Sequence, residues 1–389
     1  MRVTAIHSVT FREVFDAHGG RAITAWVRTI AGQRAEAVAS CAEMNDKQFA
    51  EAMTFANEKT LKALRGLDAV EQADVDRKIN LLCEQFDDQD SWAPFARALS
   101  MAVARVGASA SGRELYEHLR EFAPFSGPGW AMPVPIILVH TDDTGAFRSV
   151  RMAINPRASR GPRRSIRTLL NLARKTLAAF TASANAPLQN SDEVITVDGL
   201  NNTLTQLLQS THAAGLRRND VRIGIDFGRT LQQEQEADTS DDEAGMLHLC
   251  HMLIRRYPIG MVENSFRDEQ TLVRAQGTYG DQVLFLRNDV ANRDAGALTE
   301  AVTNHAVGAA AIDLWHFRTI GDALAYAVKA RGMNVPRILR TSAKETLDDF
   351  LIDFAFATGA EYVELGGFGS GGHVAKYNRL LELANRHEL

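Results

Sequence analysis

The sequence has few cysteines and no long apolar segment. Its three cysteines, Cys41, Cys83 and Cys250, are odd in number and far apart, so they indicate neither a disulfide framework nor a zinc site, and we expect buried thiols. No apolar run approaches the roughly 20 residues that span a bilayer. The first residues, MRVTAIHSVTFREVF, also lack the apolar core of a signal peptide. We therefore expect a cytoplasmic protein that does not associate with membranes.

The sequence also lacks an excess of basic residues. Lys and Arg total 43 against 48 Asp and Glu, and the net charge of -5 gives no basic stripe for nucleic acid. Hydrophobic residues make up 45% and charged residues 23%, which is ordinary for a globular protein. Because single cores stop growing near about 250 to 300 residues, a chain of 389 residues predicts a large domain and a smaller one.

The first part of the chain predicts strands followed by helices. Two runs of alternating polarity, VTAIHSVTFREVF and RAITAWVRTIA, flank DAHGG, which predicts a hairpin with glycines in its turn. Helical patterns follow as far as about Phe125. This order is typical of an α+β unit, and we place it at residues 1–128.

The remainder of the chain predicts a barrel. After the Gly- and Pro-rich stretch FSGPGWAMPVP, short apolar runs alternate with helical patterns over about 200 residues. Such alternation is typical of a parallel (β/α)8 TIM-type barrel, which we place at residues 129–389. The fold class is therefore α/β, with a small α+β domain before the barrel.

Acidic residues stand at the ends of three consecutive predicted strands of the barrel. Asp226 ends RIGID, Glu263 ends IGMVE, and Asn288 with Asp289 ends LFLRND. Because the carboxyl ends of barrel strands meet at one mouth, these oxygen ligands could hold Mg²⁺. The alternative is that each acid caps the helix that follows it.

Four segments, in the same order along the chain, resemble the enolase family. They are FDAHGG, the helix ALSMAVARVGASASGRELYEHL with the following MPVP, the strand RRYPIGMVEN and the closing helix VAKYNRLLELA. The resemblance covers nearly the whole chain. It implies an enolase-like fold, with an α+β capping domain and a modified barrel that begins with an antiparallel pair, and a homodimer as the default assembly.

The resemblance also implies a reaction and assigns residues to it. Enolases bind a carboxylate through Mg²⁺, remove an α-proton with a lysine and expel hydroxide with a glutamic acid. Asp226 and Glu263 match two of the three metal ligands, and Glu193 in SDEVITVDG falls on the catalytic acid. The third ligand falls on Asn288, whose amide lacks the negative charge, with Asp289 beside it as a possible replacement.

The other family positions differ in charge. The second glutamate of the family's site falls near Arg163 and Arg164, and the lysine before VAKYN falls on Glu364. The position of the family's lysine base falls on His316 when the alignment is anchored on the following IG, and on Leu314 when it is anchored on the preceding helix. A histidine with a pKa near about 6.5 suits proton abstraction, although a packed side chain is the simpler interpretation.

The segment that grips phosphate in enolases differs as well. Here it reads RTSAKET, with Ser342 within the aligned positions and Arg340 and Lys344 as the cations that could reach inward or lie at the surface. Losing several members of a catalytic unit should abolish the original reaction. We therefore expect a lyase-like enzyme with altered chemistry on a small carboxylate or phosphorylated acid, with a weakened Mg²⁺ site.

Two alternatives remain open on the sequence. One is an inactive pseudoenzyme that serves in binding or assembly, and the other is an authentic phosphopyruvate hydratase. In each case the expected partner is a small anionic or zwitterionic molecule. The glycine-rich run GGFGSGG after Glu364 could bind an anion through its amides, but the adjacent carboxylate favours an amine or a bulkier group.

Overall fold

The structure is a computed structural model, and it describes residues 2–122, 130–141, 147–157, 163–184, 197–228, 239–287, 294–341 and 345–389. An antiparallel sheet with helices comes first along the chain, and a barrel of eight strands follows it. The predicted fold class is confirmed. The boundary that we place between residues 128 and 129 stays a prediction, since residues 123–129 lie outside the described ranges.

The first unit is a three-stranded antiparallel sheet covered by helices. Its strands are β1 (Ile6–Phe15), β2 (Arg21–Thr29) and β3 (Arg34–Ser40), and its helices are α1 (Asp46–Phe55), α2 (Leu61–Leu64), α3 (Gln72–Cys83), α4 (Gln89–Ala110) and α5 (Leu115–Phe122), with a π-helical turn at Ala56–Thr60. The predicted hairpin joins β1 to β2, and Gly19 adopts φ 79° in its turn. Glycine suits this position because side chains disfavour positive φ.

Helix α4 is the core of this unit. It begins at the side-chain cap of Asp88, and its alanine-rich sequence lets it pack closely against β2 and β3. Trp92 and Phe95 at its start stack with ring centroids 5.4 Å apart and are fully buried. The helix therefore fixes the position of the sheet relative to the barrel beyond it.

The second unit is the barrel. Its strands are β4 (Val134–Thr141), β5 (Ser149–Ile154), β6 (Val221–Asp226), β7 (Ile259–Glu263), β8 (Leu284–Leu286), β9 (Ala310–Asp313), β10 (Arg337–Arg340) and β11 (Tyr362–Leu365). The helices are α6 (Ile166–Ala184), α7 (Val197–Ala213), α8 (Thr239–Arg256), α9 (Glu269–Tyr279), α10 (Ala295–Thr303), α11 (Ile320–Gly332), α12 (Phe350–Thr358) and α13 (Gly371–Arg386), with 3₁₀ turns at Arg218–Asp220 and Leu314–His316.

The strands lie in the order β8-β7-β6-β5-β4-β11-β10-β9. Strand β5 is antiparallel to both of its neighbours, and the other paired strands of the barrel are parallel. The barrel therefore begins with an antiparallel pair. As a consequence, the carboxyl end of β5 lies at the opposite end of the barrel from those of the other strands.

The inner face of the barrel is divided into layers by the two-residue period of its strands. At the carboxyl ends the layer is charged. The layer beneath it is apolar, where a separate small core contains Ile136, Met261, Leu286 and Ile338, with Tyr362 packed against it. The outward-facing residues of the strands join the main core with the surrounding helices. Among the described helices, none is both long and apolar enough to cross a membrane.

Candidate active site at the barrel mouth

The carboxyl ends of the parallel strands place charged side chains at one level. Asp226 on β6 lies opposite Glu263 on β7. On the other side of the barrel, Arg340 on β10 lies between Asp313 on β9 and Glu364 on β11. The sequence predicts this convergence for Asp226 and Glu263, and the structure brings Glu364 to the same mouth.

Arg151 lies between the two predicted metal ligands. It stands on β5 opposite Gly224, two residues below Asp226 on β6, and its side chain reaches up to the carboxylates. One guanidinium nitrogen, Nη1, donates to Glu263, and Nη2 lies 3.3 Å from Asp226 Oδ2. The third nitrogen, Nε, lies 3.0 Å from Glu364 Oε1. One guanidinium thus pairs with all three carboxylates.

A second arginine completes the network. Nη1 of Arg340 donates to Glu263 Oε1 at 2.6 Å, and Nη2 lies 3.2 Å from Glu263 Oε2 and 3.0 Å from Glu364 Oε2. Asp226 receives further hydrogen bonds at Oδ1 from Asn264 Nδ2 at 3.0 Å and from the Gly228 amide at 2.8 Å. We call Arg151, Asp226, Glu263, Arg340 and Glu364 the mouth network.

Burial and charge act in opposite directions on the acids of the mouth network. Burial alone would raise the pKa of Glu263, but Arg340 and Arg151 hold it well below its usual range. Burial and the neighbouring Glu263 raise the pKa of Asp226 despite its contact with Arg151. With all groups ionised, the network has three negative and two positive charges, so one negative charge of the network is uncompensated.

The described residues of this site fit Mg²⁺ poorly. A metal ion bound by Asp226 and Glu263 needs the carboxylate oxygens that Arg151 occupies with its N–H groups. The cation would also lie beside a guanidinium that has no acidic proton to lose at neutral pH. Within the described ranges, no cluster of three or more His, Cys, Asp or Glu side chains could hold a metal ion.

A small cavity of about 80 Å³ adjoins the mouth network, and we call it the mouth cavity. It lies between the barrel and the first unit, since Val38 to Ser40 of β3 form part of its wall. Its lining also includes apolar residues such as Met101 and the charged residues Arg97, Asp313, Arg340, Glu345, Asp348 and Lys376. With liquid water taking about 30 Å³ per molecule, this volume has room for the acid group of a small ligand.

Asp313 is an acid of the mouth cavity whose pKa is raised toward neutrality. Burial raises its pKa to about 6, with Arg97 and Arg340 acting in the opposite direction. Its side chain also accepts a hydrogen bond from the Trp315 amide at 2.9 Å, which caps the 3₁₀ turn after β9. A carboxyl with such a pKa can both accept and donate a proton near pH 7.

Two cationic side chains at the mouth cavity have unused donors. Arg97 donates through Nε to the Phe317 carbonyl at 3.0 Å and through Nη2 to the Trp315 carbonyl, and it lies over the Trp315 ring. Its Nη1, like Nε of Arg340, is buried and has no hydrogen-bond partner among the described residues. An anionic ligand would satisfy such donors, which are costly to leave unpaired.

The glycine-rich run has a packing role. A Cβ on Gly366 would overlap the ring of His373, and one on Gly372 would lie 2.7 Å from Glu345 Cγ and from the Thr346 carbonyl oxygen. Glu345 is in turn paired with the buried Lys376 and lies 3.8 Å from His373 Nε2. These glycines therefore make room for a charged cluster at the start of α13.

The structure places the other described candidates away from this network. Arg164 lies 3.1 Å from Asp220, which precedes β6, so it stands at the opposite end of that strand from Asp226. Arg163 is exposed and forms an isolated bridge with Arg157 at the same end. His316 is half-buried in the 3₁₀ turn and is not among the described residues that line the mouth cavity. The roles that we predict for these residues stay predictions.

Several predicted residues lie outside the described ranges. They are Glu193, Asn288, Asp289, Ser342 and Lys344. Their suggested roles as catalytic acid, metal ligands and substrate contacts are untested.

The sequence prediction did not include Arg151, Arg97 or Asp313. Arg151 lies on the antiparallel strand, so it is not at the carboxyl end of a parallel strand. An arginine inside the apolar run SVRMAI is nevertheless unusual and is the signal that could have indicated it. Asp313 ends AAID just as Asp226 ends RIGID, so the same pattern of an acid at a strand end could have predicted it. Arg97 is part of α4, and nothing local in the sequence indicates its contact with the barrel.

Fold and site together define a protein with a TIM-type barrel and a network of buried ion pairs at the barrel mouth. The model of the enolase C-terminal TIM barrel domain matches residues 191–387, more than half of the chain. The chain belongs to the enolase family, as a divergent member.

Full-length relatives agree with this assignment. Enolase of Aeropyrum pernix is 23% identical over 424 residues, covering 98% of this chain and 94% of the relative. Enolase of Campylobacter jejuni subsp. doylei is 23% identical over 412 residues, covering 97% of each. The resemblance thus extends through both units, while identity is low enough for the chemistry to differ.

Proposed function

We propose that this protein is a metal-independent enolase-family enzyme that binds a small carboxylate or phosphorylated acid at the mouth of its barrel. The observation that carries the proposal is the position of Arg151, whose guanidinium pairs with both Asp226 and Glu263. The guanidinium thereby places a fixed positive charge between the two acids, at the position that a bound metal ion would otherwise take. Ordinary dehydration of 2-phosphoglycerate is not the expected activity.

Recognition of the substrate rests on Arg97 and Arg340. Both line the mouth cavity, and each has one N–H group without a partner among the described residues. Arginine suits a carboxylate or phosphate because its donors are planar and forked. Proton transfer is assigned to Asp313, whose pKa burial raises to about 6, close to the operating range of a general acid or base.

A binding protein without turnover is the second candidate function. It is favoured by the mutual pairing of the mouth network, because the carboxylates of Glu263 and Glu364 are already held by arginines. A side chain that transfers a proton must form a hydrogen bond with the substrate during the reaction. These two carboxylates already form theirs with arginines. The two candidates share the same ligand class and differ only in turnover.

Calorimetric titration tests the metal-independence. With millimolar Mg²⁺, in the presence or absence of phosphoenolpyruvate, we expect no heat of metal binding. A coupled assay with 2-phosphoglycerate should likewise show no turnover. Saturable heat with Mg²⁺, or turnover that depends on Mg²⁺, would contradict the proposal.

Ligand binding is tested by thermal unfolding in EDTA. Phosphoenolpyruvate and 2-phosphoglycerate should raise the Tm equally with and without chelator, since a ligand that binds the folded state stabilises it. Arg97→Met should remove this rise. The matched control is Arg12→Met, on the exposed face of β1, which should keep it. A Tm that neither acid changes would argue against the site.

A further inference from the structure

A second cavity lies at the other end of the barrel. Its volume is about 410 Å³, within the range of about 300 to 1,000 Å³ that is typical of small-molecule sites. It is bounded by the amino-terminal ends of the parallel strands and by the carboxyl end of β5. Apolar and small residues form most of its inner wall: Val134, Ile136, Ala153, Gly224, Met261 and Leu284. We call it the lower cavity.

At Gly224, the wall of the lower cavity tolerates an added Cβ. A Cβ on Gly224 would lie 3.5 Å from Arg151 Cβ and from the Met261 side chain, which is ordinary van der Waals contact. A larger residue could therefore begin to fill this space without a clash. Ala153 on the adjacent strand is also small, so the wall is open where a packed barrel would carry bulky branched side chains.

Cationic and hydroxyl groups border this apolar wall. Arg222 on β6 has a hydrogen bond of 3.2 Å to the Val221 carbonyl, and it has no acidic partner among the described residues. Gly260 accommodates its stem, because a Cβ there would lie 2.8 Å from Arg222 Cδ. Tyr362 also lines the cavity, and burial and the charge of Glu361 raise the pKa of its hydroxyl while Arg222 acts to lower it.

A second arginine lies at the rim. Arg157, from the stretch NPRASRGPRRSIR, is exposed, lines the cavity and has no acidic partner within the described ranges. Asp281 is the acid on this wall, and the described contacts include no ion pair between it and either arginine. The charge of the rim thus complements an anion, while the interior complements an apolar group.

We propose that the lower cavity is a second ligand site, for a small apolar molecule that carries one anionic group. The apolar body lies against Met261 and Gly224, and the anion accepts hydrogen bonds from Arg222 and Tyr362. Active sites of such barrels lie at the carboxyl ends of the strands, so this ligand is distinct from the substrate. The proposal does not depend on the function assigned to the mouth.

Methionine methyl groups report on the two cavities separately. Met261 lines the lower cavity and Met101 lines the mouth cavity. In protein labelled with ¹³C-methyl methionine, titration with benzoate should shift the Met261 signal in a saturable way and leave Met101 unchanged. Benzamide, the neutral molecule of the same shape, should bind about tenfold more weakly, as expected for losing a charge-assisted hydrogen bond.

Variants then separate the two sites. Arg222→Met keeps the stem and removes the charge, and it should weaken benzoate about tenfold while the Met261 signal of the free protein stays in place. Arg97→Met at the mouth should leave the titration unchanged. The proposal is overturned if millimolar benzoate shifts only Met101, if it shifts neither methyl, or if Arg222→Met binds as tightly as the natural protein.

Discussion

At the scale of single residues, the charge on Arg151 determines what the barrel mouth can bind. Asp226 and Glu263 are 2% and 0% exposed, so their charges cannot be compensated by solvent. Arg151 and Arg340 supply that compensation from inside the protein. Removing one partner of a buried ion pair leaves an uncompensated charge, which is far more costly than the net contribution of the pair.

Arg151→Met should therefore destabilise the protein by about 3 to 5 kcal/mol. The variant exposes Asp226 and Glu263 to a free cation, so we expect Mg²⁺ to raise its Tm above the value in NaCl of equal ionic strength. The natural protein should show no such rise. Urea unfolding gives the first quantity and scanning calorimetry the second. A variant as stable as the natural protein would show that the mouth network is not a stabilising unit.

The residues of the mouth were only partly predictable from the sequence. Strand ends indicated Asp226 and Glu263, because parallel strands bring their carboxyl ends to one mouth, whereas Glu364 was indicated only by the resemblance to enolases. Arg151 could not be found in this way, since its strand runs in the opposite direction and the side chain reaches two residues upward. Contacts between residues far apart in the sequence, such as that of Arg97 with the Trp315 carbonyl, can be identified only from the folded structure.

At the scale of elements, the alternation of strands and helices was predictable, but the strand ends were less so. Within the apolar run AAAIDLWHF, strand β9 ends at Asp313 and a 3₁₀ turn follows. The physical reason is the Asp313 side chain, which accepts the Trp315 amide and caps the turn. His316 was a candidate through the alignment with the family's lysine, and Asp313 at the strand end was not among the predicted residues.

The glycines around the start of α13 offer a matched pair of substitutions. Gly372→Ala should destabilise the protein by about 1 to 3 kcal/mol, because the added Cβ meets Glu345 and the backbone of Thr346. Gly369→Ala should be nearly neutral, since no atom lies within 4 Å of its Cβ position. Urea unfolding measures both. Equal effects would mean that the run acts as a flexible spacer and not as packing space.

At the scale of the whole molecule, the first unit and the barrel are joined by polar contacts that a prediction of domains does not contain. Arg105 on α4 forms a two-point ion pair with Asp348, at 2.7 and 2.8 Å, and contacts Asp349 at 2.9 Å. On the same helix, Ser100 donates to Asp76 of α3 and accepts the Ile320 amide at the start of α11. Helix α4 thus connects both units.

Asp76 makes this junction sensitive to pH. It is 4% exposed, accepts hydrogen bonds from Gln72, Ser100 and the Gly321 amide, and has Asp322 nearby. Burial raises its pKa to about 7, from an ordinary value of 3.8. The folded state therefore holds the proton more tightly than the unfolded state, so the stability from protonated Asp76 is complete below the ordinary pKa and is lost as pH rises through about 7.

We expect the free energy of unfolding of the natural protein to fall, relative to that of Asp76→Asn, as pH rises from about 4 to about 7. Above that range the difference should become constant. Asp74→Asn, at an exposed position on the same helix, controls for the amide substitution itself and should show no such trend. Urea unfolding at a series of pH values measures all three proteins. A constant difference between the natural protein and Asp76→Asn would show that Asp76 stays ionised throughout, held by its three donors, and that the junction does not respond to pH.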